Sequence, residues 1–168
     1  GGKTEVYLRL IEQVLARGQA VLVLVPEIAL TPQTAARLSH RFQQQQIAMI
    51  HSALPAAARN AHWHAIHAGD ARIVLGARSG VFAPFPVGSL GLIVVDEEHD
   101  ASFKQDSNPR YHGRDVAIRR AQMAGCPVLL CSATPSLESW HNAASRADWS
   151  LHHLPHRAPG LTLPRTRL

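Results

Sequence analysis

Cysteine is scarce in this sequence of 168 residues, which contains only Cys126 and Cys131. Two cysteines cannot form the framework of a disulfide-rich secreted domain. Both also border an apolar run. We therefore expect two buried thiols rather than a disulfide or a metal site.

Long apolar runs are also absent, and no segment approaches the length that a membrane-spanning helix needs. The first residues show no signal peptide. Aromatic residues make up only 5% of the sequence. These absences favour a cytoplasmic protein with no membrane contact. The hydrophobic share of 46% is typical of one globular α/β domain.

Acidic residues are fewer than basic ones: the sequence has 12 Asp and Glu and 17 Lys and Arg, which give a formal net charge of +5. A basic protein can bind a polyanion, because phosphate contacts release counterions. Charge alone does not separate such a protein from an ordinary basic soluble one.

The most informative stretch is LIVVDEEH, residues 92–99. Its four apolar residues predict a strand buried on both faces of a parallel sheet, so the three carboxylates must lie where the strand leaves the sheet. Ligands of such sheets bind at the carboxyl ends of the strands. Asp96 could hold Mg²⁺ there, and Glu97 could orient or deprotonate a water. A solvated acidic turn is the alternative.

The chain opens on Gly1-Gly2-Lys3-Thr4, and Gly-Lys-Thr closes the phosphate-loop pattern G-x-x-x-x-G-K-[ST]. In such loops backbone N–H groups hold the phosphates, the lysine reaches the outer phosphates and the hydroxyl binds Mg²⁺. Apolar residues at helical spacing from Tyr7 to Leu15 predict the helix that must follow, with a stop at Gly18. Half of the loop is missing, so we expect the chain to be a fragment.

Further apolar runs predict strands at residues 20–25, 47–51, 72–77 and 127–130. Helices are predicted at residues 56–68, at residues 116–123 and after Ser136, a typical N-cap. The expected fold is α/β, with a parallel sheet of at least five or six strands and helices on both faces.

Polar side chains follow three of these strands. Thr31 and Gln33 lie in the loop PEIALTPQ, where they could cap the next helix or donate to a nucleic-acid phosphate. Arg78 lies between glycines in GARSG, where it could meet a phosphate. Ser132 and Thr134 of SATPS could hydrogen-bond to the carboxylates of Asp96 and Glu97 and pass on the nucleotide state.

Residues 100–115 mix aromatic and basic side chains and show neither a helical nor a strand period. Such a mixture suits single-stranded nucleic acid, because bases stack on the rings and phosphates pair with the cations. A rigid surface loop packed on its own aromatic residues is the alternative. The position directly after the carboxylates favours nucleic-acid binding. The side chains concerned are Phe103, Lys104, Arg110, Tyr111, His112 and Arg114.

Three clustered histidines, His62, His64 and His67, raise the question of a zinc site. On a helix His64 and His67 share a face, but His62 points elsewhere. No cysteine or carboxylate is placed to complete a ligand set, so we do not expect zinc there.

In this order and with this spacing, GKT before a helix, PEIALTPQ, GARSG, DEEH and SATPS resemble the first RecA-like lobe of a DExH-box helicase. DEEH followed by FKQ…PRYHGRDVA, together with VPEIALTPQ, is similar to the family of replication-restart (primosomal) DNA helicases. The resemblance covers nearly the whole chain. It implies a three-layer RecA-like P-loop NTPase domain over residues 1–153 and a Pro/Arg-rich linker over residues 154–168 towards an absent second lobe.

The resemblance also implies roles for individual residues. The catalytic set is Lys3 on the outer phosphates, Asp96, Glu97 activating water, and His99 linking the nucleotide to DNA contact. The nucleotide-binding set is Gly1, Gly2, Lys3, Thr4 and Glu98, with Thr4 and Asp96 on Mg²⁺. The DNA-binding and coupling set is Thr31, Gln33, Arg78, Phe103, Lys104, Arg110, Tyr111, His112, Arg114, Ser132 and Thr134.

A member of this family is an ATP-dependent helicase that translocates three-prime to five-prime and reloads the replication machinery at stalled forks. The resemblance implies ATP and Mg²⁺ as cofactors, single-stranded and forked DNA as substrates, and single-strand-binding protein and other primosome proteins as partners. The family also binds zinc, through a cysteine cluster that this chain lacks, and it usually has serine where Gly1 stands. The second lobe with its arginine finger is missing too. That finger contributes on the order of a thousandfold to phosphoryl transfer, so we expect the chain alone to be a poor ATPase and no helicase.

Three alternatives compete with this assignment. Another DExH-type DNA repair or restriction translocase would not need the PRYHGRD segment. A non-motor nucleic-acid-binding module with a vestigial nucleotide site would not be expected to keep Lys3, Thr4, Asp96 and Glu97. A P-loop kinase of small molecules leaves SATPS and the aromatic segment without a role.

Overall fold

Five strands form one sheet in the computed structural model, which describes residues 2–30 and 32–154. The helices are α1 (Lys3–Ala16), α2 (Pro32–Arg41), α3 (Ala56–Ala68), α4 (Gly113–Ala124) and α5 (Leu137–Ser145). The strands are β1 (Ala20–Leu24), β2 (Ile47–Ile50), β3 (Ile73–Gly76), β4 (Leu90–Asp96), β5 (Lys104–Gln105), β6 (Tyr111–His112) and β7 (Val128–Cys131). Short 3₁₀ turns lie at Glu27–Ala29, Arg78–Phe82 and Ala101–Phe103.

The five-stranded sheet has the order β2-β3-β1-β4-β7, and every neighbouring pair is parallel. Strands β5 and β6 form a separate antiparallel pair. The carboxyl ends of the five parallel strands therefore meet at one edge, which is where ligands of such sheets bind. The predicted α/β fold with a parallel sheet is confirmed.

Alternate residues of each central strand enter two hydrophobic clusters, one on each face of the sheet. In β1, Val21 and Val23 pack with apolar residues of α1 and α2, whereas Leu22 and Leu24 pack with those of α3 and α4. All five residues of β1 are buried. Because helices cover both faces, the strands need apolar residues at every position, which explains their unbroken apolar runs.

The segment of residues 100–115 is more regular than the sequence predicts. It contains a 3₁₀ turn, the β5–β6 pair and the first residues of α4, which begins at Gly113 rather than at residue 116. The prediction of an irregular segment is wrong because two-residue strands are too short to show a period. The remaining predicted strands and helices agree with the structure to within a few residues.

The two cysteines are free thiols, and the prediction that both are buried is confirmed for Cys131, whereas Cys126 is only half-buried. Burial and, to a smaller extent, the nearby charge of Asp96 together raise the pKa of Cys131 to about 12. A thiol with so high a pKa is a poor nucleophile. Cys131 is therefore a packing residue of the sheet.

The predicted linker, residues 154–168, lies outside the described residues except for Leu154, which is exposed. Among the described residues, no helix combines the length and the apolar character that crossing a membrane requires.

Gly76, the last residue of β3, has no room for a side chain. A Cβ there would lie 2.8 Å from the Gly80 Cα and 3.1 Å from the Ile50 carbonyl oxygen. Because both are backbone atoms, Gly76→Ala is expected to lower the free energy of unfolding by about 1–3 kcal/mol in urea denaturation. Gly80→Ala is the control, since its closest contact would be the end of the Leu24 side chain at 3.2 Å, which can shift. Equal losses in the two variants would contradict this explanation.

Candidate active site

Helix α1 begins directly after Gly2, whose φ of 106° lies in the left-handed region that favours glycine. Glycine has no side chain that could cap the helix, so the backbone amides at this end are suited to hold an anion. The next residue, Lys3, places its Nζ 2.5 Å from Glu97 Oε1. The fold thus joins the Gly-Lys-Thr segment to DEEH. Gly1 lies outside the described residues.

The DEEH residues point in different directions because the chain turns sharply after β4. Asp96 ends the strand, and Glu97 has a φ of 48°, a conformation that residues other than glycine rarely adopt. The Glu97 N–H donates to Asp96 Oδ1 at 3.0 Å, and the Glu98 N–H donates to the Cys131 carbonyl at 3.0 Å. As a result Glu97 contacts Lys3, while the Glu98 side chain is buried.

Asp96 is half-buried near the start of α1. Burial raises the pKa of its carboxyl; the Glu97 N–H opposes this shift, the Glu97 charge adds to it and Lys3 opposes it. Burial and then the Asp96 charge raise the pKa of Tyr7, while a hydrogen bond with Thr4 lowers it. Tyr7 therefore interacts with both residues that are expected to bind Mg²⁺.

His99 connects the carboxylates to the SATPS segment. Its Nδ1 lies 2.7 Å from Ser132 Oγ and 3.7 Å from Glu97 Oε2. Ser132 Oγ also accepts a hydrogen bond from the Thr134 N–H at 3.0 Å. The prediction that the Ser132 and Thr134 hydroxyls bond to Asp96 and Glu97 is wrong. The Glu97 side chain contacts Lys3, and the Ser132 hydroxyl bonds to His99 instead.

Glu98 was expected to bind nucleotide, but it is only 1% exposed and is enclosed by protein donors. Its carboxylate accepts hydrogen bonds from Ser136, Ser139 and Arg114. Burial by itself raises the pKa of Glu98, but these hydrogen bonds outweigh it and the pKa is lowered. Glu98 is therefore a buried charged anchor. Arg114, expected to contact DNA, is likewise buried, because it neutralises Glu98.

Two further residues of the expected DNA-binding set point into the protein. Phe103 is fully buried in the hydrophobic cluster beneath α4. Arg78 is half-buried and donates to the backbone carbonyls of Ser102 at 3.2 Å and Lys104 at 2.6 Å. The structure corrects both predictions, since these side chains hold the aromatic segment in place instead of presenting themselves to a ligand.

Four residues of the expected DNA-binding set do share a surface. They line an open groove of about 510 Å³, which we call the aromatic groove. Tyr111 packs edge-on against Phe82, with ring centroids 5.1 Å apart, and this contact fixes the orientation of its ring. The groove is formed by Lys104, Gln105, Asp106, Arg110, Tyr111 and His112.

Gln33 lies apart from these residues, exposed in the first turn of α2. The turn before it is held by the Thr34 hydroxyl, which donates to the Ala29 carbonyl at 2.7 Å. Thr31 lies outside the described residues. A DNA contact of Gln33 stays a prediction.

A comparison with protein-family models decides the family, because the model for DEAD/DEAH box helicases matches residues 1–143. The chain belongs to the DEAD/DEAH box helicase family. Helicases of this family use ATP and Mg²⁺ in general, and they act on nucleic acid.

Curated relatives of this helicase chain carry the name replication restart protein PriA. The Bacillus subtilis (strain 168) protein is 48% identical over 167 residues, which are 99% of this chain and 20% of that protein. The Haemophilus influenzae protein is 50% identical over 141 residues, 84% of this chain and 19% of that protein. The chain thus spans about a fifth of the length of the curated relatives it matches.

Solved helicase and ATPase structures share the fold. The Pyrococcus furiosus Hef helicase domain matches with a TM-score of 0.50 and 14% identity, over 87% of this chain and 29% of that one. The C-terminal part of the Fun30 ATPase domain matches with a TM-score of 0.51 and 15% identity, over 92% and 47%. At such identities the likeness establishes the RecA-like fold alone.

Sequence reasoning does not identify Tyr7, Ser136 or Ser139 as parts of the helicase site. Tyr7 occupies an apolar helical position, which predicts a core residue. Ser136 is predicted as the N-cap of α5, and it does accept the Ser139 N–H at 3.2 Å, but it also donates to Glu98. No pattern in the sequence connects these residues to DEEH, because the link depends on the turn at Glu97.

Proposed function

We propose that this chain is the ATP-binding lobe, over residues 1–153, of an ATP-dependent DNA helicase that acts in replication restart. The observation that carries the proposal is the 2.5 Å contact between Lys3 Nζ and Glu97 Oε1. It joins the end of a phosphate loop to the acidic end of a buried strand, 94 residues further along the chain. Identities of 41–50% to proteins named for replication restart support that role within the helicase family.

The groups near the start of α1 fit Mg²⁺-ATP. Thr4 offers a hydroxyl and Asp96 a carboxylate, which are oxygen ligands of the kind that Mg²⁺ prefers, and both interact with Tyr7. Gly2 and Lys3 would hold the phosphates at the amino end of the helix. When bound, Mg²⁺ supplies neutralisation of the charge on the outer phosphates.

Phosphates that bind at Lys3 would compete with Glu97 for its ammonium group and so weaken the Lys3–Glu97 ion pair. Glu97 is then available to accept a hydrogen bond from the attacking water and to orient it. His99 lies within 3.7 Å of Glu97 and within 2.7 Å of Ser132. A change at the nucleotide would therefore reach the SATPS segment through His99.

The aromatic groove supports single-stranded DNA as the substrate. Lys104 and Arg110 are exposed and supply positive charge, and Tyr111 supplies a ring on which a base can stack. We propose three-prime to five-prime translocation and unwinding of forked DNA for the intact protein that carries this chain. Partners would be single-strand-binding protein and other primosome proteins, in the cytoplasm, with zinc held by a cysteine cluster elsewhere in the protein.

The proposal is tested by measuring ATP hydrolysis of the intact protein as a function of single-stranded DNA concentration. Wild type is expected to be stimulated. Because stacking on one aromatic ring is worth about 1–3 kcal/mol per base, Tyr111→Ala should raise the DNA concentration for half-maximal stimulation about tenfold. Tyr111→Phe is the matched control, since it keeps the ring and loses only the hydroxyl.

Two outcomes would count against the proposal. If DNA does not stimulate wild-type hydrolysis, the motor assignment fails and a binding module with a vestigial nucleotide site takes its place. If Tyr111→Ala responds to DNA as wild type does, the DNA lies elsewhere than in the aromatic groove.

A further inference from the structure

The buried carboxylate of Glu98 is not used by the proposed ATP chemistry. Its neighbour Glu97 contacts Lys3, whereas Glu98 is 1% exposed and has both oxygens occupied by protein donors. Oε1 accepts the Ser136 N–H at 2.7 Å. Oε2 accepts Arg114 Nη1 at 3.1 Å, Ser136 Oγ at 3.1 Å and Ser139 Oγ at 3.0 Å. So many donors on one carboxylate indicate a fixed position.

Arg114, the main partner of Glu98, follows the groove-lining strand β6 closely in the sequence. Arg114 is in the first turn of α4, and the two residues before that helix, Tyr111 and His112, form β6 and line the groove. The Arg114 side chain is 9% exposed. A movement of β6 therefore acts on Arg114 through a backbone that leads directly into the helix.

The other end of the groove is also held by an arginine. Arg78 donates to the carbonyls of Ser102 and Lys104, which lie just before and at the start of β5. The Arg78 guanidinium carbon is 5.9 Å from the centre of the Tyr111 ring. The aromatic segment is thus held to the GARSG turn at its start and to DEEH at its end.

Glu98 and Arg114 should move together rather than separate. If the pair opened within the protein, each charge would remain buried without its partner, which is strongly unfavourable. Glu97 precedes Glu98 directly and has a φ of 48°, so its backbone lies in a small allowed region with little freedom to absorb a shift. A displacement of Glu98 is for this reason passed to Glu97.

We propose that the Glu98–Arg114 pair is the positioning link that transmits the state of the aromatic groove to Glu97. The inference rests on the proposed function, since it needs DNA in the groove and ATP at Lys3. It assigns Glu98 a part in coupling, and it assigns Arg114 to the same link instead of to direct DNA contact. Both are positioning residues that act through Glu97.

The test is a double-mutant cycle in the intact protein, with the ratio of DNA-stimulated to DNA-free ATP turnover as the readout. Glu98→Gln and Arg114→Gln are each expected to lower that ratio about tenfold. The double variant should lower it no further, because both changes break one link. The loss should be in the DNA-stimulated kcat, with the KM for ATP and the DNA concentration for half-maximal stimulation within about twofold of wild type.

Asp148→Asn is the matched control. Asp148 is exposed and accepts Arg146 Nε at 3.0 Å, so this variant removes an arginine–aspartate pair that is not part of the link. The ratio should stay within about twofold of wild type in this variant. A second, milder variant is Ser139→Ala, which removes one donor to Glu98 and should lower the ratio about threefold even if the arginine variant fails to fold.

Three results would overturn the inference while leaving the proposed function intact. The first is an unchanged ratio in Glu98→Gln and Ser139→Ala. The second is additive losses in the double variant, and the third is a loss that appears only as weaker DNA or ATP binding. If DNA fails to stimulate wild type at all, the proposed function itself fails and the coupling role falls with it.

Discussion

Glu97→Gln is expected to lower the ATP turnover of the intact protein at saturating DNA by about a thousandfold, the middle of the range for removing a general base. Glu97 is the carboxylate that lies against Lys3, and its charge acts on Asp96, where the metal is expected. Glutamine keeps the shape of the side chain but cannot accept a proton. The measurement is steady-state phosphate release.

The effect of Glu97→Gln should be one on chemistry and not on folding. The Lys3 and Glu97 side chains are 26% and 38% exposed, so their ion pair contributes at most about 1 kcal/mol to stability after solvent screening. Binding of a fluorescent ATP analogue should therefore survive. Glu12→Gln, at an exposed carboxylate that pairs with Arg41, is the control. Turnover within tenfold of wild type in Glu97→Gln would exclude Glu97 as the water-activating group.

The fold was predictable because its signal is carried by long, uniform runs. Residues 20–24 and 90–95 are buried on both faces of the sheet, so burial alone dictates that they are apolar and unbroken. The order of the strands has no such signal, since it depends on how the crossings pack over the sheet. The short pair β5–β6 gives no pattern in the sequence either, because each strand has only two residues.

The position of the candidate site was predictable from the sequence, but the directions of its side chains were not. Strand ends in a parallel sheet share one edge, so Lys3, Asp96 and Ser132 could be placed together from the sequence. The direction of each side chain depends on backbone angles that composition does not reveal. The φ of 48° at Glu97 separates Glu97 from Glu98, and it sends one carboxylate to Lys3 and the other to Arg114.

The mixture of rings and cations in residues 100–115 predicted a DNA-binding surface, and only part of the set lines one exposed groove. Lys104, Arg110 and Tyr111 line the aromatic groove. Phe103 and Arg114 are buried, because a segment of this size needs its own anchors to keep a shape. The alternative of a segment packed on its own residues is therefore correct for Phe103 and Arg114, whereas nucleic-acid binding by the groove residues stays a prediction.

Phe103→Ala tests, through the free energy of unfolding, whether Phe103 holds the segment in place or belongs to the groove surface. Phe103 has 0% of its surface exposed and belongs to the same hydrophobic cluster as Ile93, Val95 and Ala117. Removing its ring leaves a cavity beneath the aromatic segment, which should lower the free energy of unfolding by about 3–5 kcal/mol. The measurement is urea denaturation of the chain, monitored by circular dichroism.

Phe82→Ala is the matched control for this prediction, because Phe82 is the same residue type but 51% exposed. Its ring meets Tyr111 edge-on, so its loss should cost only about 0.5–1.5 kcal/mol. If Phe103→Ala were as stable as Phe82→Ala and instead weakened DNA binding, Phe103 would be a stacking platform. A large loss of stability in Phe103→Ala alone would make it the anchor on which the aromatic groove is built, and Tyr111 would remain the ring available to a base.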